Sequence, residues 1–378
     1  MTVSSDDGAA ERLQGSVEER ILPRLDDHHK TVTMSEIAKA VGVSQGAISS
    51  LLNDRDYGIR VSEKTRERVF RICRELGYIP NDLRAVVRMY PEIGDLCLLA
   101  SSDIADVAAD PFSSRITSAA MRIAGKTTRQ LVLAPFAANA DYSERSEALP
   151  NTIRNGTSSK FLCVGTPNIS LFQAIIRRGF PVSCLGHEVS MPGVTSIMPA
   201  YSEASRLAIE HLFKLGHKRI AILSGPFGTT DFKIIELNQG VRIVYEQQGV
   251  PIEAQNILYG NLDFKTGVSS TEMLLSREPR PSAIFCFSDT LAAGALYAIA
   301  ARGLKAPGDL SVIGCSDDAF ASLLHPALST IHLPAEEMAE AGVAEIESRI
   351  HNGDITGSKK ISLPVHLVER GTCGSPGL

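Results

Sequence analysis

A chain of 378 residues with 44% hydrophobic content is long enough for two or three domains and a sizeable core, and its formal net charge of −5 does not by itself advertise a nucleic-acid binder. Seven scattered cysteines (Cys73, Cys97, Cys163, Cys184, Cys286, Cys315, Cys373), without a C-x-x-C pair and mostly inside apolar runs, read as reduced core thiols and argue against a disulfide framework or a zinc site. The opening MTVSSDDGAAERLQGS has no apolar segment and no run approaches the roughly 18 apolar residues of a spanning helix, so neither secretion nor a membrane span is expected.

Residues 1–30 are polar and acidic, with too little apolar surface to order themselves. They read as a solvated arm, with one short helix before Pro23 as the alternative; neither reading assigns a function. From Thr31 the pattern changes. Ile37, Ala38 and Val41 recur at helical spacing, Gly42-Val43-Ser44 interrupts, and Ile48, Leu51 and Leu52 resume it. Gly42 permits the left-handed turn that ends a first helix, and Ser44 is placed to cap a second. This is the shape of a helix-turn-helix, whose second helix lies in the DNA major groove. A third helix is expected over Ser62–Leu76, with Val69, Ile72, Cys73 and Leu76 inward, Lys64, Arg66, Arg68, Arg71 and Arg74 outward, and Gly77 as its stop. Residues 30–90 hold 11 Lys/Arg against 7 Asp/Glu, a local +4, while the flanking segments are acidic. The basic section is therefore the one that carries the helix pair, as phosphate binding requires.

Pro80 and Pro91 bracket a connecting segment in which Leu83, Ala85, Val86 and Val87 make one apolar helical turn. From Gly94 onward short apolar runs alternate with helical patterns. DLCLLA, QLVLAPF, KFLCVG and PVSCLG read as buried strands, with helices near Ser113–Ala124 and Ser170–Arg178. A second series follows: helix Ser202–Leu215, strand RIAILSG, a helix reaching Gln248, strand ILYG, helix Thr266–Ser276, strand AIFCFS, helix Thr290–Ala301 and strand LSVIG. Two α/β series imply two Rossmann-like lobes of parallel sheet with a ligand cleft between them. The expected domains are a polar extension (1–30), a headpiece (31–79), a hinge (80–92) and a two-lobed body (93–378).

The headpiece residues Val32-Thr33, Glu36-Ile37-Ala38, Gly42-Val43-Ser44, Ile48-Ser49, Asn53, Val61-Ser62, Thr65 to Val69 and Leu76 to Asn81 closely resemble those of the LacI/GalR family of bacterial transcriptional regulators. The body resembles that family's effector domain, of periplasmic-binding-protein type, in Leu215-Gly216-His217, Ser224-Gly225-Pro226, Ser288-Asp289, Arg302-Gly303, Ser311 to Gly314, Leu328 to Ile331 and Leu367 to Gly371. The likeness runs from about residue 31 to 373. It implies a dimeric repressor in the cytoplasm that binds operator DNA under control of a small-molecule effector, a sugar or related metabolite, with no cofactor and no metal.

The resemblance also implies site residues. Gln45 and Gly46 stand where relatives touch base edges, and Ser50 at a further base-contacting position. A Gln pairs with adenine N6 and N7 for discrimination on the order of 1–3 kcal/mol, whereas Gly46 offers only backbone approach. Thr33, Ser44, Ser49, Asn53 and Ser62 match phosphate-binding positions, though each hydroxyl reads equally as a cap. Val87 occupies the place of an apolar wedge, usually Leu, that enters the minor groove from the hinge. Asp54–Arg60 lengthens the usual connection, with Arg55, Tyr57 and Arg60 as added backbone contacts or a solvated loop.

In the cleft the likeness thins. Leu237 replaces a sugar-binding Arg, Ser288 an Asn, Ser316 the first Asp of a G-x-D-D turn, and Pro199-Ala200 an Asp-Asn pair. The charged groups that fork onto vicinal hydroxyls are thus mostly missing. Phe264, at a ring-stacking position, with Phe112, Phe227, Ser288, Ser316 and Asp317, remains as the expected effector contact set, which points to a less hydroxylated ligand. No H-E-x-x-H, G-x-S-x-G, P-loop or nucleotide fingerprint supports an enzyme. The alternative from another class is a cytosolic small-molecule-binding protein without specific DNA recognition.

Overall fold

A computed structural model describes residues 32–53, 62–76, 78, 80, 83–101, 110–126, 130–143 and 147–376. The N-terminal extension, the 54–60 loop, Gly77, and Ile79, Asn81 and Asp82 of the linker lie outside the described residues. The chain divides into two compact units after Tyr90.

In the first unit, helix α1 spans Met34–Val41 and α2 spans Gln45–Asn53. Thr33 and Glu36 form a reciprocal capping box at the start of α1: Glu36 N donates to Thr33 Oγ1 at 3.3 Å and Thr33 N donates to Glu36 Oε2 at 2.8 Å. Gly42 ends the helix at φ 79°, and Ser44 Oγ accepts from Ala47 N at 3.1 Å to begin the next. Helix α3 runs Glu63–Glu75 with Ser62 accepting from Thr65 N. Ile37, Val41, Ile48, Leu52, Val69 and Cys73 bury the helices against one another. Leu76 departs from expectation: the helix ends one residue earlier, so Leu76 takes the C-cap position and is 43% exposed. Helix α4, Leu83–Met89, adds Ala85 and Met89 to this core, and Arg88 Nη1 donates to Leu51 O at 3.4 Å.

The second unit holds two six-stranded sheets. Strands β1 (Asp95–Ser101), β2 (Leu131–Phe136), β3 (Ser158–Val164), β4 (Val182–Leu185), β5 (Val194–Pro199) and β11 (Lys359–Leu363) form the first, in the order β11-β5-β4-β3-β1-β2. Strands β6 (Ile220–Ser224), β7 (Ile257–Tyr259), β8 (Ala283–Cys286), β9 (Ser311–Ser316), β10 (Ser329–His332) and β12 (His366–Val368) form the second, in the order β12-β10-β9-β8-β6-β7. All pairings are parallel except β10 with β12. Around the first sheet lie α5 (Pro111–Lys126), α6 (Asn151–Arg154), α7 (Ile169–Ile176) and the late α12 (Ala335–Asn352); around the second lie α8 (Tyr201–Lys214), α9 (Phe232–Gln248), α10 (Phe264–Leu275) and α11 (Asp289–Ala301). The chain passes between lobes three times, after β5, after β10 and after β11. The run QLVLAPF, expected to be buried, is an edge strand with Leu133 52% exposed.

Glycines set the closest helix contacts. A Cβ on Gly240 of α9 would stand 2.0 Å from the Ser202 carbonyl oxygen of α8; one on Gly294 of α11 would stand 2.2 Å from the Phe264 carbonyl oxygen of α10. These neighbours are backbone and do not yield as a flexible side chain would. Gly294→Ala is therefore expected to destabilise the body by about 1–3 kcal/mol through overpacking, measured as a lowered melting temperature; an unchanged melt means that α10 and α11 separate without penalty.

Candidate DNA interface and effector cleft

At the head of α2, Ser44, Gln45 and Gly46 are exposed, as are Thr33 and Ser62 at the starts of the neighbouring helices. Ser44 fixes the helix start through its cap, so the Gln45 side chain is presented from the first turn of a rigid element, and among the described residues its amide has no partner. Backbone N–H groups and hydroxyls at such helix starts suit phosphate oxygens, and the exposed Lys39, Lys64, Arg68, Arg71 and Arg74 supply charge. Ser49 and Ser50 are half-buried on α2. Asn53 closes the helix, its side chain outside the described residues. Val87 is only 2% exposed: a wedge action requires this side chain to leave its present cover.

The second lobe's side of the cleft is organised by Asp289. Its carboxylate is fully buried at the start of α11, where Oδ1 accepts from Thr330 Oγ1 at 2.5 Å and Oδ2 accepts from Asp318 N at 2.8 Å. Only glycine fits opposite, since a Cβ on Gly314 would stand 2.2 Å from Asp289 Oδ1. Burial, then the nearby Asp318 charge, pushes the Asp289 carboxyl up to about 7. Asp318 is raised too, by burial, against the opposing effect of the Ser316 hydroxyl and the charges of Lys233 and Arg115.

Of the expected effector residues, three meet here and are already engaged. Ser288 caps α11, accepting from Leu291 N at 3.1 Å and donating to Leu262 O at 3.3 Å. Ser316 donates to Asp318 Oδ1 at 2.7 Å. Asp317 accepts from Arg370 Nη2 at 2.6 Å and lies 3.0 Å from His332 Nδ1. The His332 hydrogen bond, then the Arg370 contact, outweighs burial and holds the Asp317 carboxyl down at about 2. Both Ser316 (φ 155°) and Asp317 (φ 59°) adopt backbone that side chains disfavour.

The aromatic members separate. Phe112, on α5, packs against the cores of both lobes, and Lys233 Nζ of α9 stands 5.9 Å from its ring centroid. Phe227 is 80% exposed, packed edge-on to Tyr259 at 5.0 Å, and lines a recess of about 400 Å³ with Pro226, Ile235 and Ile257 that none of the other five shares. Phe264 is the first residue of α10 because Asp263 caps that helix, accepting from Thr266 N at 2.7 Å. It is 44% exposed and its ring lies 5.6 Å from Tyr297 of α11, on the outer helix face. Leu262, ahead of the cap, is the side chain that packs inward against the second lobe's core clusters. The sequence reading also missed Arg115 of α5, which reaches Glu336, Ser316 and Leu333; these lie some 200 positions along the chain, and no local signal announces them.

Because the folded Asp289 carboxyl keeps its proton up to about 7 while an unfolded one loses it near the ordinary 3.8, the folded state holds the extra proton between those values. Asp289 therefore favours the fold most below about 4, and that contribution declines as pH rises to about 7. Asp289→Asn removes this titration. Thermal melts at pH 5 and pH 8 should show a smaller loss across the interval for the variant than for the parent; equal losses mean that Asp289 is already ionised at pH 5.

Comparison with known proteins places this geometry. The family profile described as bacterial regulatory proteins, lacI family, matches residues 33–81, and that of a periplasmic binding protein-like domain matches residues 188–373. The HTH-type transcriptional regulator DegA of Bacillus subtilis is 27% identical over 343 residues, 89% of this chain and 97% of that protein. The ribose operon repressor of Haemophilus influenzae is 28% identical, covering 85% and 92%. Among solved structures, the regulator CelR in complex with cellobiose superposes with a TM-score of 0.61 at 26% identity, over 90% of this chain and 99% of that one. The lac repressor dimer bound to operator and the anti-inducer ONPF gives 0.61 at 25% identity, over 91% and 99%. These relatives are regulators, not enzymes. With a capped helix-turn-helix headpiece joined to a two-sheet effector domain, the chain belongs to the LacI family of bacterial transcriptional regulators.

Proposed function

We propose that Gln45 carries most of the direct base readout in a repressor that works as a two-fold dimer in the cytoplasm, where its operator is. The observation behind this is the exposed Gln45 amide, without a partner among the described residues, on the capped first turn of α2. Gly46 lets the backbone approach the groove, Ser50 contributes a short hydroxyl, and Thr33, Ser44, Ser49, Asn53 and Ser62 fix register on phosphates. Val87 enters the minor groove once α4 is repositioned on DNA. A dimer sets two α2 helices one helical turn apart on a nearly palindromic site. The exposed ring pair Phe264–Tyr297 and the 82% exposed Leu323 supply apolar surface for contact between copies.

The effector binds between the lobes, at the edge formed by Phe112, Lys233, Ser316 and Asp318. Ser288 and Asp317 shape that edge through Leu262 and Arg370. With Leu237 buried where relatives place an Arg, the ligand is recognised less through vicinal hydroxyls than a typical sugar. A ligand of unequal affinity for the two lobe arrangements shifts operator affinity, and DNA shifts ligand affinity by the same factor.

Mobility shifts with genomic fragments test the reading. Specific retardation, an affinity that falls steeply with salt, and a loss of roughly 1–3 kcal/mol of discrimination at one A·T position in Gln45→Ala are expected. An unchanged ranking of sites in that variant removes Gln45 from readout, and retardation of all fragments alike by the parent protein removes sequence-specific regulation.

A further inference from the structure

The lobes of the second unit are joined by three chain crossings, and the polar side chain of Arg115 adds a further tie. Arg115 sits in the second turn of α5, in the first lobe. There its guanidinium pairs with Glu336 at the start of α12, Nε donating to Oε1 at 3.0 Å and Nη2 to Oε2 at 2.7 Å. The same planar fork also reaches three carbonyl oxygens at the strand ends of the other lobe. Nη1 donates to Ser316 O at 2.8 Å and more weakly to Asp317 O at 3.4 Å, and Nη2 donates to Leu333 O at 3.0 Å. Arg115 is thus fully engaged, with its side chain 14% exposed. Only a planar group with several divergent donors satisfies a carboxylate and three carbonyls at once.

What it grips is the turn with disfavoured backbone. Ser316 and Asp317 are its two left-handed residues, and Ser316 stands where the family resemblance places a ligand-binding carboxylate. Ser316 O is also bonded from Leu333 N at 3.2 Å, so the Arg115 contacts bracket the crossing from β10 into α12. We infer that Arg115 is a positioning residue of the effector cleft: held by Glu336 in one lobe, it fixes the Ser316–Asp317 turn of the other and sets the spacing of the lobes from within the chain. This rests on reading the inter-lobe space as the effector site. The cleft keeps few groups able to draw the lobes together around a ligand, and this cation supplies from the protein a bridge that ligand hydroxyls would otherwise make.

Spin labels at the exposed Gln173 of α7 and Gln248 at the end of α9, introduced as Gln173→Cys and Gln248→Cys in a Cys373→Ser background and diluted with unlabelled chain, report the distance between lobes. Six of the seven native cysteines are buried, which directs labelling. The parent is expected to give one narrow distance distribution without ligand. Arg115→Ala should broaden it and add a longer population, and Arg115→Lys, which keeps the charge but not the fork, should fail to restore it. Glu336→Gln, the milder change, should broaden it partially. A narrow, unshifted distribution in folded Arg115→Ala, or full restoration by Lys, overturns the inference. If Arg115→Ala does not fold, an unchanged distribution in Glu336→Gln overturns it. Mobility shifts on the same proteins keep the two readings apart. Loss of specific retardation by the parent would refute the regulator reading while the distances still decide the clamp, and altered distances with specific retardation retained would support the clamp alone.

Discussion

One buried carboxylate shapes the second lobe's working edge. Asp289 takes a hydroxyl from β10 and a backbone N–H from the turn after β9 while sitting at the first residue of the helix after β8. Three strand ends are thereby gathered on a single side chain. An isolated ion there would be expensive to desolvate. The structure meets that cost partly by hydrogen bonds and partly by holding the proton, as the raised Asp289 carboxyl indicates. Asp317, one residue before Asp318, takes the opposite solution: half-buried and flanked by Arg370 and His332, it stays ionised. The adjacent acids of one turn thus differ because hydrogen bonds from His332 and Arg370 hold Asp317 down, whereas burial raises Asp318 against the charges of Lys233 and Arg115.

That arrangement explains why the expected effector hydroxyls and carboxylate are unavailable as a free set. The short hydroxyls of Ser288 and Ser316 each reach only their own neighbourhood, a helix start and Leu262 in one case and Asp318 in the other. A side chain that caps or braces cannot also fork onto a ligand without giving up its bond, at a net loss of about 1 kcal/mol or more for each buried group left unpaired. Both serines therefore serve as cap and brace in this fold. Arg115, arriving from the other lobe, adds its donors to the Ser316 and Leu333 carbonyls.

Much of the headpiece was legible because its signals are local: a stripe of apolar residues at helical spacing, a glycine at Gly42 and a serine cap at Ser44. The α/β alternation was equally plain in the body. What failed were features settled by distance. Strands β10, β11 and β12 and helix α12 belong to inter-lobe crossings whose partners lie far away in sequence, and Arg115 is bonded to residues some 200 positions on. The placement of Phe264 is an instructive exception, since its cause was in plain view. Asp263 followed three residues later by Thr266 is an N-cap pattern, so α10 begins at Phe264 rather than at Thr266. Starting the helix two residues earlier turns Phe264 to the outer face and leaves Leu262 as the inward residue.

The same reasoning limits how the two recognition functions can be distributed. In the headpiece the proposed base reader, Gln45, has no partner among the described residues, while Thr33, Ser44 and Ser62 are engaged as helix caps. In the cleft Ser288, Ser316 and Asp317 each already have a partner, so a ligand that meets them exchanges bonds rather than adding them. Exchange makes the net binding energy small compared with the contacts formed, and where the bond surrendered is one from Arg115 to Ser316, Asp317 or Leu333 it also releases a tie between the lobes. Ligand binding that costs such a tie is coupled to the spacing of the lobes, which is the property a regulator needs from its effector domain.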